Sequence, residues 1–204
     1  MEKETINNSG FIGIDDLEDG MKLFYKGTSD QAHRIHRAQK RRFGDYDNLY
    51  LLNHVGDIII NKDGNAVCYE QDGWGKFGTS LIDVEYRKEI KKDGAEVYIG
   101  IYQNIDPEKL NNYRKEIYLL ESEDSLVNYS YKSLVNYFYN SVIFKLSKKD
   151  RYIFKKEPNG TTCSQISAKL SIDHFGVDFG KPYYYVYPCE IAMYGGIVIK
   201  KLIF

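Results

Sequence analysis

Cys163 lies in "NGTTCSQISAKL" (159–170), where a loop of Asn, Gly and Thr gives way to a helical pattern. Thr162 followed three residues later by Gln165 has the form of a capping box, so the spacing predicts a helix with Thr162 as its N-cap and Cys163 as its first residue. A thiol at that position meets the positive end of the helix dipole, which stabilises the thiolate and lowers its pKa. Free cysteine also serves as plain buried packing. A helix end supplies no base, so the nucleophilic reading requires a histidine from elsewhere in the chain.

Four histidines are available. His33 and His36 stand at i, i+3 on a basic segment with no carboxylate or cysteine at matching spacing, so no metal site is expected there. His174 follows the Cys163 helix by one turn. His54 sits inside the apolar run "YLLNHVGDIII" (50–60), where an imidazole needs a partner for its nitrogens. The "NKDG" turn and the returning segment "NAVCYEQ" (65–71) supply one, and the loop length decides which. If Lys62, Asp63 and Gly64 form a three-residue loop with Gly64 left-handed, Asn61 pairs with Asn65, His54 faces Asp72, and Glu70 is diagonal on the same face. A two-residue loop would bring Gln71 to that face instead. "KDG" suits the longer loop, which favours Glu70. Cys68 would then share the face and compete as nucleophile, without a helix dipole to help it. Cys189, in "YPCEI", reads as packing or surface.

These residues need elements to carry them. "MKLFYKG" (21–27) has the content of a strand, and "SDQAHRIHRAQKRRF" (29–43) that of a helix capped by Ser29 or Asp30. The run 50–60 reads as a buried strand paired with 65–71. "LIDVEYRKEI" and "AEVYIGIYQN" suggest a further strand pair joined through Lys91 to Gly94. Residues 106–120 fit a helix capped by Asp106 with Pro107 at its first position. Residues 133–147 fit another, with Leu134, Phe138, Val142 and Leu146 on its buried face. "YYYVY" (183–187) fits either the lining of a groove or a strand with alternating burial, and "IVIKKLIF" closes the chain as a strand.

At 204 residues, with 19 Tyr and 10 Phe, the chain suits one α+β domain, set at 17–204 after a flexible segment 1–16. Lys and Arg total 28 against 29 Asp and Glu, so no overall charge draws the chain to nucleic acid or anionic membrane, and "HRAQKRR" is a solvated helix end rather than a binding motif. No apolar window approaches the ~18 residues of a membrane span. The N-terminus lacks the form of a signal peptide, which implies a cytoplasmic protein unless a phage or non-standard route exports it. Three dispersed cysteines without CxxC spacing imply reduced thiols and neither a disulfide framework nor a zinc cluster.

The order of these features resembles the circularly permuted NlpC-type papain-fold hydrolases, a group that includes YiiX-like bacterial proteins and, more distantly, lecithin:retinol acyltransferase-like enzymes. The matching segments are "NHVGD" with His54, "VCYEQ" with Glu70 and "TTCSQ" with Cys163, together with the Tyr-rich helix before the cysteine and "YPCEI" after it. The resemblance spans roughly residues 17 to 194. It implies an antiparallel sheet or small barrel packed against helices, with the cysteine at a helix N-terminus. This chain departs from the group's pattern at "EDGMKLF", where a "GD" is common, and at Gln165, where the group has Glu.

The chemistry implied is acyl transfer. Cys163 attacks a carbonyl, His54 moves the proton and Glu70 orients the ring, while the Cys163 backbone N–H, Thr162, Gln71 and Tyr69 serve the oxyanion or the substrate. No cofactor is expected. The expected partner is a peptide, amide or acyl-ester substrate, with cell-wall peptides first. The alternatives are an acyltransferase or lipid esterase on the same fold, or a non-catalytic module of a larger assembly such as a phage.

Overall fold

The computed structural model describes residues 10–71, 77–103, 105–122, 130–154 and 162–204. They form an α+β fold built on a seven-stranded sheet of order β1-β7-β6-β2-β3-β4-β5. The strands are β1 (Phe11–Gly13), β2 (Lys22–Lys26), β3 (His54–Ile60), β4 (Ala66–Gln71), β5 (Phe77–Leu81), β6 (Glu96–Tyr102) and β7 (Ile197–Ile203). The helices are α1 (Asp30–Phe43), α2 (Ile82–Asp93), α3 (Pro107–Ser122), α4 (Tyr131–Ser147), α5 (Cys163–Phe175) and α6 (Pro188–Met193). Every sheet pairing is antiparallel except β1 with β7. β1 pairs with β7 over Phe11 to Gly13.

The β3–β4 hairpin turns through Lys62, Asp63 and Gly64. The Asn61 N–H donates to the Asn65 carbonyl at 2.9 Å and the Gly64 N–H to the Asn61 carbonyl at 3.0 Å. Gly64 has φ +81°, the left-handed conformation that such a loop asks of its third residue. The pairs Ile60 with Ala66, Ile58 with Cys68 and Asp57 with Tyr69 follow from it.

Alternation along the strands divides the core. One face carries Val55, Ile59, Val67 and Tyr69, which pack under α5, α3 and α6 through Cys163, Leu170, Tyr113 and Ile191. The other carries Leu23, Ile58 and Cys68, packed against Ile82 and Tyr86 of α2. Lys22 and Asp57 form a fully buried ion pair on the first face, where the Tyr113 hydroxyl donates to Asp57 at 3.0 Å. The Lys22 ammonium also reaches the Ser167 carbonyl at 3.5 Å, tying β2 and β3 to α5.

Four expectations change. "LIDVEYRKEI" is mostly helix, α2, because Ile82 and Tyr86 one turn apart both enter the core while Arg87 bonds Asp83 at 2.6 Å across one exposed turn. Its preceding segment forms β5 against β4. The strand expected from residue 50 begins at His54, since Gln39 Nε2 donates to the Tyr50 carbonyl at 2.6 Å and to that of Leu52 at 2.9 Å, holding Tyr46–Leu51 in a 3-10 turn. "YYYVY" opens as a 3-10 turn, Tyr183–Tyr185. The fourth concerns α4, which buries Ser133, Asn136, Tyr137, Asn140 and Ser141 and leaves Val142 and Leu146 outside. Polar groups outcompete apolar ones for this interior because each finds a partner there. Asn136 exchanges two bonds of 3.0 Å with the Phe154 backbone, and Asn140 donates to Asp150 at 3.0 Å.

Candidate active site

Three elements converge on Cys163. Helix α5 begins at this residue, with Thr162 extended at φ −116° as its N-cap. The Thr162 N–H donates to Gln165 Oε1 at 2.7 Å, the half of the capping box that the sequence pattern anticipates. Gln165 Nε2 then donates to Ser133 Oγ at 2.8 Å and to the Tyr184 carbonyl at 2.9 Å. Glutamate has no hydrogen to donate at those positions, which accounts for Gln at this place in the chain. From the polar face of α4, the Tyr137 hydroxyl donates to the Val186 carbonyl at 2.9 Å and meets Ser164 Oγ at 3.1 Å and Thr162 Oγ1 at 3.4 Å. Polar bonding to α4 therefore fixes the first turn of α5.

His54 is the first residue of β3. The residue before it is held firmly: Asn53 Oδ1 accepts from the Gly27 N–H at 2.6 Å and lies 3.2 Å from His36 Nε2. Burial lowers His36 to about 4, so that ring is neutral near pH 7. His54 Nε2 bonds Glu70 Oε2, and the ring is also within hydrogen-bonding reach of the Cys163 thiol. Glu70 is further met by Ser80 Oγ at 3.3 Å, with the Tyr86 hydroxyl beside it. Gly56 makes this arrangement possible, because a Cβ there would overlap the Cys68 sulfur and come within 3.2 Å of Glu70 Cβ.

The electrostatics form one coupled system. For Cys163, burial acts to raise the pKa, but the His54 charge, the hydrogen bond to His54 and the backbone N–H groups of Val55 and Ser164 outweigh it and hold the thiol below 9.0. For His54, burial acts to lower the pKa, and the charges of Cys163 and Glu70 overcome it and hold the ring well above 6.5. Glu70 is kept below 4.5 against its burial, chiefly by His54. The three shifts reinforce one another: each favours the proton on the His54 ring over the proton on Cys163 or Glu70. Cys163 is 7% exposed, whereas the His54 and Glu70 side chains are 21% and 16% exposed.

Of the residues selected from the sequence, Cys163, His54 and Glu70 come together. Thr162, Tyr69 and Gln71 are closed to solvent. Tyr69 packs with Tyr113 and Leu170 in the core. Gln71 stands on the opposite face of β4 from Glu70. Asp72 lies outside the described residues. Cys68 is fully buried, and burial with Glu70 nearby pushes its thiol well above 9.0; Cys189 is likewise buried and raised. Sequence reasoning missed Tyr137, Ser80 and Tyr86. A tyrosine among Ser and Asn at helical spacing in "SLVNYFYNS" is the one signal that pointed toward a polar inner face.

The arrangement is an α+β fold with a cysteine at a helix N-terminus, a histidine at a strand end and a carboxylate on the neighbouring strand. No family model and no curated protein matches the sequence. Among solved structures, the fold is similar to that of the metalloprotein YiiX from Escherichia coli O157:H7, at 10% identity and a TM-score of 0.57, over 89% of this chain and 95% of that one.

Proposed function

We propose that this chain is a thiol hydrolase of the permuted NlpC-type papain-like kind, acting on amides or peptides, with Cys163 as nucleophile, His54 as acid and base, and Glu70 as the group that orients the ring. What supports this reading is that His54 bonds Glu70 while its ring and the Cys163 thiol act on one another's ionisation, the thiol held low and the imidazole held high. The thiolate attacks the carbonyl carbon, forming a C–S bond and an oxyanion. The Cys163 backbone N–H, at the first position of α5 where no carbonyl of the helix precedes it, is the donor this reading assigns to that oxyanion. The oxyanion collapses as His54 gives its proton to the departing nitrogen, leaving an acyl thioester on Cys163. His54 then removes a proton from water, whose attack releases the acid and restores the thiolate. An acyl acceptor in place of water would make the same site a transferase.

YiiX is named a metalloprotein, so the donor set here bears on the reading. His54 Nε2 is committed to Glu70, which leaves the Cys163 sulfur and one ring nitrogen, short of the three protein ligands of a catalytic zinc site. Among the described residues no group of three or more His, Cys, Asp or Glu side chains is placed to hold a metal ion. The residues do not fit a bound metal at this site.

Iodoacetamide at pH 6 tests the proposal, with labelled peptides located by mass. One adduct per chain, on Cys163, is expected, because Cys68 and Cys189 are buried thiols held high. A Cys163→Ala chain should fold and take up no label. Equal labelling of that variant, or an inert Cys163 in the parent chain, overturns the assignment.

A further inference from the structure

Helix α4 is turned inside out. Tyr131, Val135, Tyr139, Val142 and Leu146 recur at steps of four, four, three and four, so they form one stripe along the helix. All five are exposed, Leu146 at 78% and Val142 at 45%. Ile153 and Phe154, also exposed, extend the patch beside the first half of α4, where Asn136 holds the Phe154 backbone. No described helix is long and apolar enough to cross a membrane; a contiguous exposed apolar patch is the kind of surface that meets a partner.

The charges around the stripe choose the occupant. Between Tyr131 and Arg151 the cations are Lys132, Lys145, Lys148, Lys149 and Arg151, and the only acid is Asp150. Asp150 is already engaged by Arg42 at 2.8 Å and Asn140 at 3.0 Å. On a helical wheel Lys132 and Lys145 flank the stripe on its two sides. A second copy laid against this face would set lysine against lysine, which opposes self-association. Tyrosines along the stripe and long lysine side chains at its borders have apolar bodies and polar tips, the composition of a helix lying flat in a lipid headgroup region. We propose that the outer face of α4, with Ile153 and Phe154, docks onto a bilayer surface rich in anionic lipid. The opposite face of α4 holds Thr162 and Ser164 through Tyr137, so docking brings the Cys163 end of α5 to about one helix diameter, ~10 Å, from the lipid.

Co-sedimentation of the full chain with vesicles tests this without reference to catalysis. Binding is expected to phosphatidylcholine vesicles carrying about 30% phosphatidylserine, weakening with added salt, and not to phosphatidylcholine alone. A Val142→Glu, Leu146→Glu chain should bind about tenfold or more weakly, because it loses apolar insertion and adds repulsion; Lys145→Glu, Lys149→Glu should also weaken binding. Both variants change exposed residues, so circular dichroism should match the parent. Cys163→Ala should bind like the parent, which separates this surface from the thiol chemistry. No binding to the anionic vesicles, or binding indifferent to the Val142 and Leu146 changes, overturns the proposal. So does a stable dimer that Leu146→Glu converts to monomer, or capture of an acidic polypeptide by this face without any vesicle binding.

Discussion

Gly56 stands so close to Cys68 that a single added carbon would overlap the sulfur, and the next nearest atoms are Glu70 Cβ and the Tyr69 carbonyl, both at 3.2 Å. The glycine of "HVG" thus sets the spacing between the strand that bears the histidine and the strand that bears its carboxylate. Gly56→Ala is expected to destabilise the fold by about 1–3 kcal/mol through overpacking and to slow Cys163 alkylation by displacing Glu70. Adding Cys68→Ala should recover part of both losses. Urea unfolding and alkylation rates of the three chains check this, and an unperturbed Gly56→Ala would show that the contact carries no such constraint.

The coupled ionisations give a pH profile with a definite sign. Cys163 is held low and His54 high, so the ion pair forms as pH rises through the lowered thiol value and is lost as pH rises through the raised imidazole value. Alkylation should therefore extend to lower pH than for an unperturbed thiol, and acyl transfer should fall again on the alkaline side when His54 can no longer protonate a leaving group. Glu70→Gln removes a charge that holds His54 up, so His54 drops, Cys163 rises and the acid limb moves to higher pH. The rate at pH 6 should fall by about tenfold for each pH unit the limb moves. An unmoved limb would remove Glu70 from its orienting role.

Gln165→Glu replaces a buried amide whose Nε2 donates to Ser133 and Tyr184. Tyr184 offers a carbonyl, which a carboxylate cannot satisfy. A loss of about 1–3 kcal/mol is expected, measured by denaturant midpoint, with the Thr162 N–H bond retained.

Asp57→Asn leaves the buried Lys22 ammonium without its counter-charge. A loss of about 3–5 kcal/mol is expected, and Lys22→Met, Asp57→Leu together should cost less than the sum of their single effects. A double-mutant cycle in urea reads the difference.

Surface electrostatics give a separate acid limb. Glu96 bonds Lys26 at 2.7 Å and Lys201, and although burial acts to raise it, these two cations hold it down at about 2. Its folded pKa lies below its unfolded value near 4.5, so its contribution is fully present above pH 4.5 and is lost as pH falls toward 2. Glu96→Gln should cost about 1 kcal/mol or less at pH 7, since the group is part-exposed and screened. The gap from the parent chain should close in melts taken down to pH 2.

Legibility in the sequence followed the range of the forces involved. Hairpin register was readable because loop chemistry at Lys62–Gly64 is local and the two-residue period of a strand carries it to Glu70. The cap on α5 was readable for the same reason. Residues 82–93 were not, because a short segment of mixed apolar and charged residues satisfies both periods and only packing of Ile82 and Tyr86 against Cys68 and Ile58 selects the helix. The support from Tyr137 was hidden because its partners at Ser164 and Val186 are 27 and 49 positions away.

The inner face of α4 also changes what a substitution means along that helix. In most helices apolar positions are the intolerant ones. Here a saturation scan should find the reverse, with Asn136, Tyr137 and Asn140 nearly invariant for stability and Val135, Val142 and Leu146 free to drift wherever nothing presses on them from outside. Any restriction found at those three positions would then measure selection by an external surface, separated residue by residue from selection for the fold.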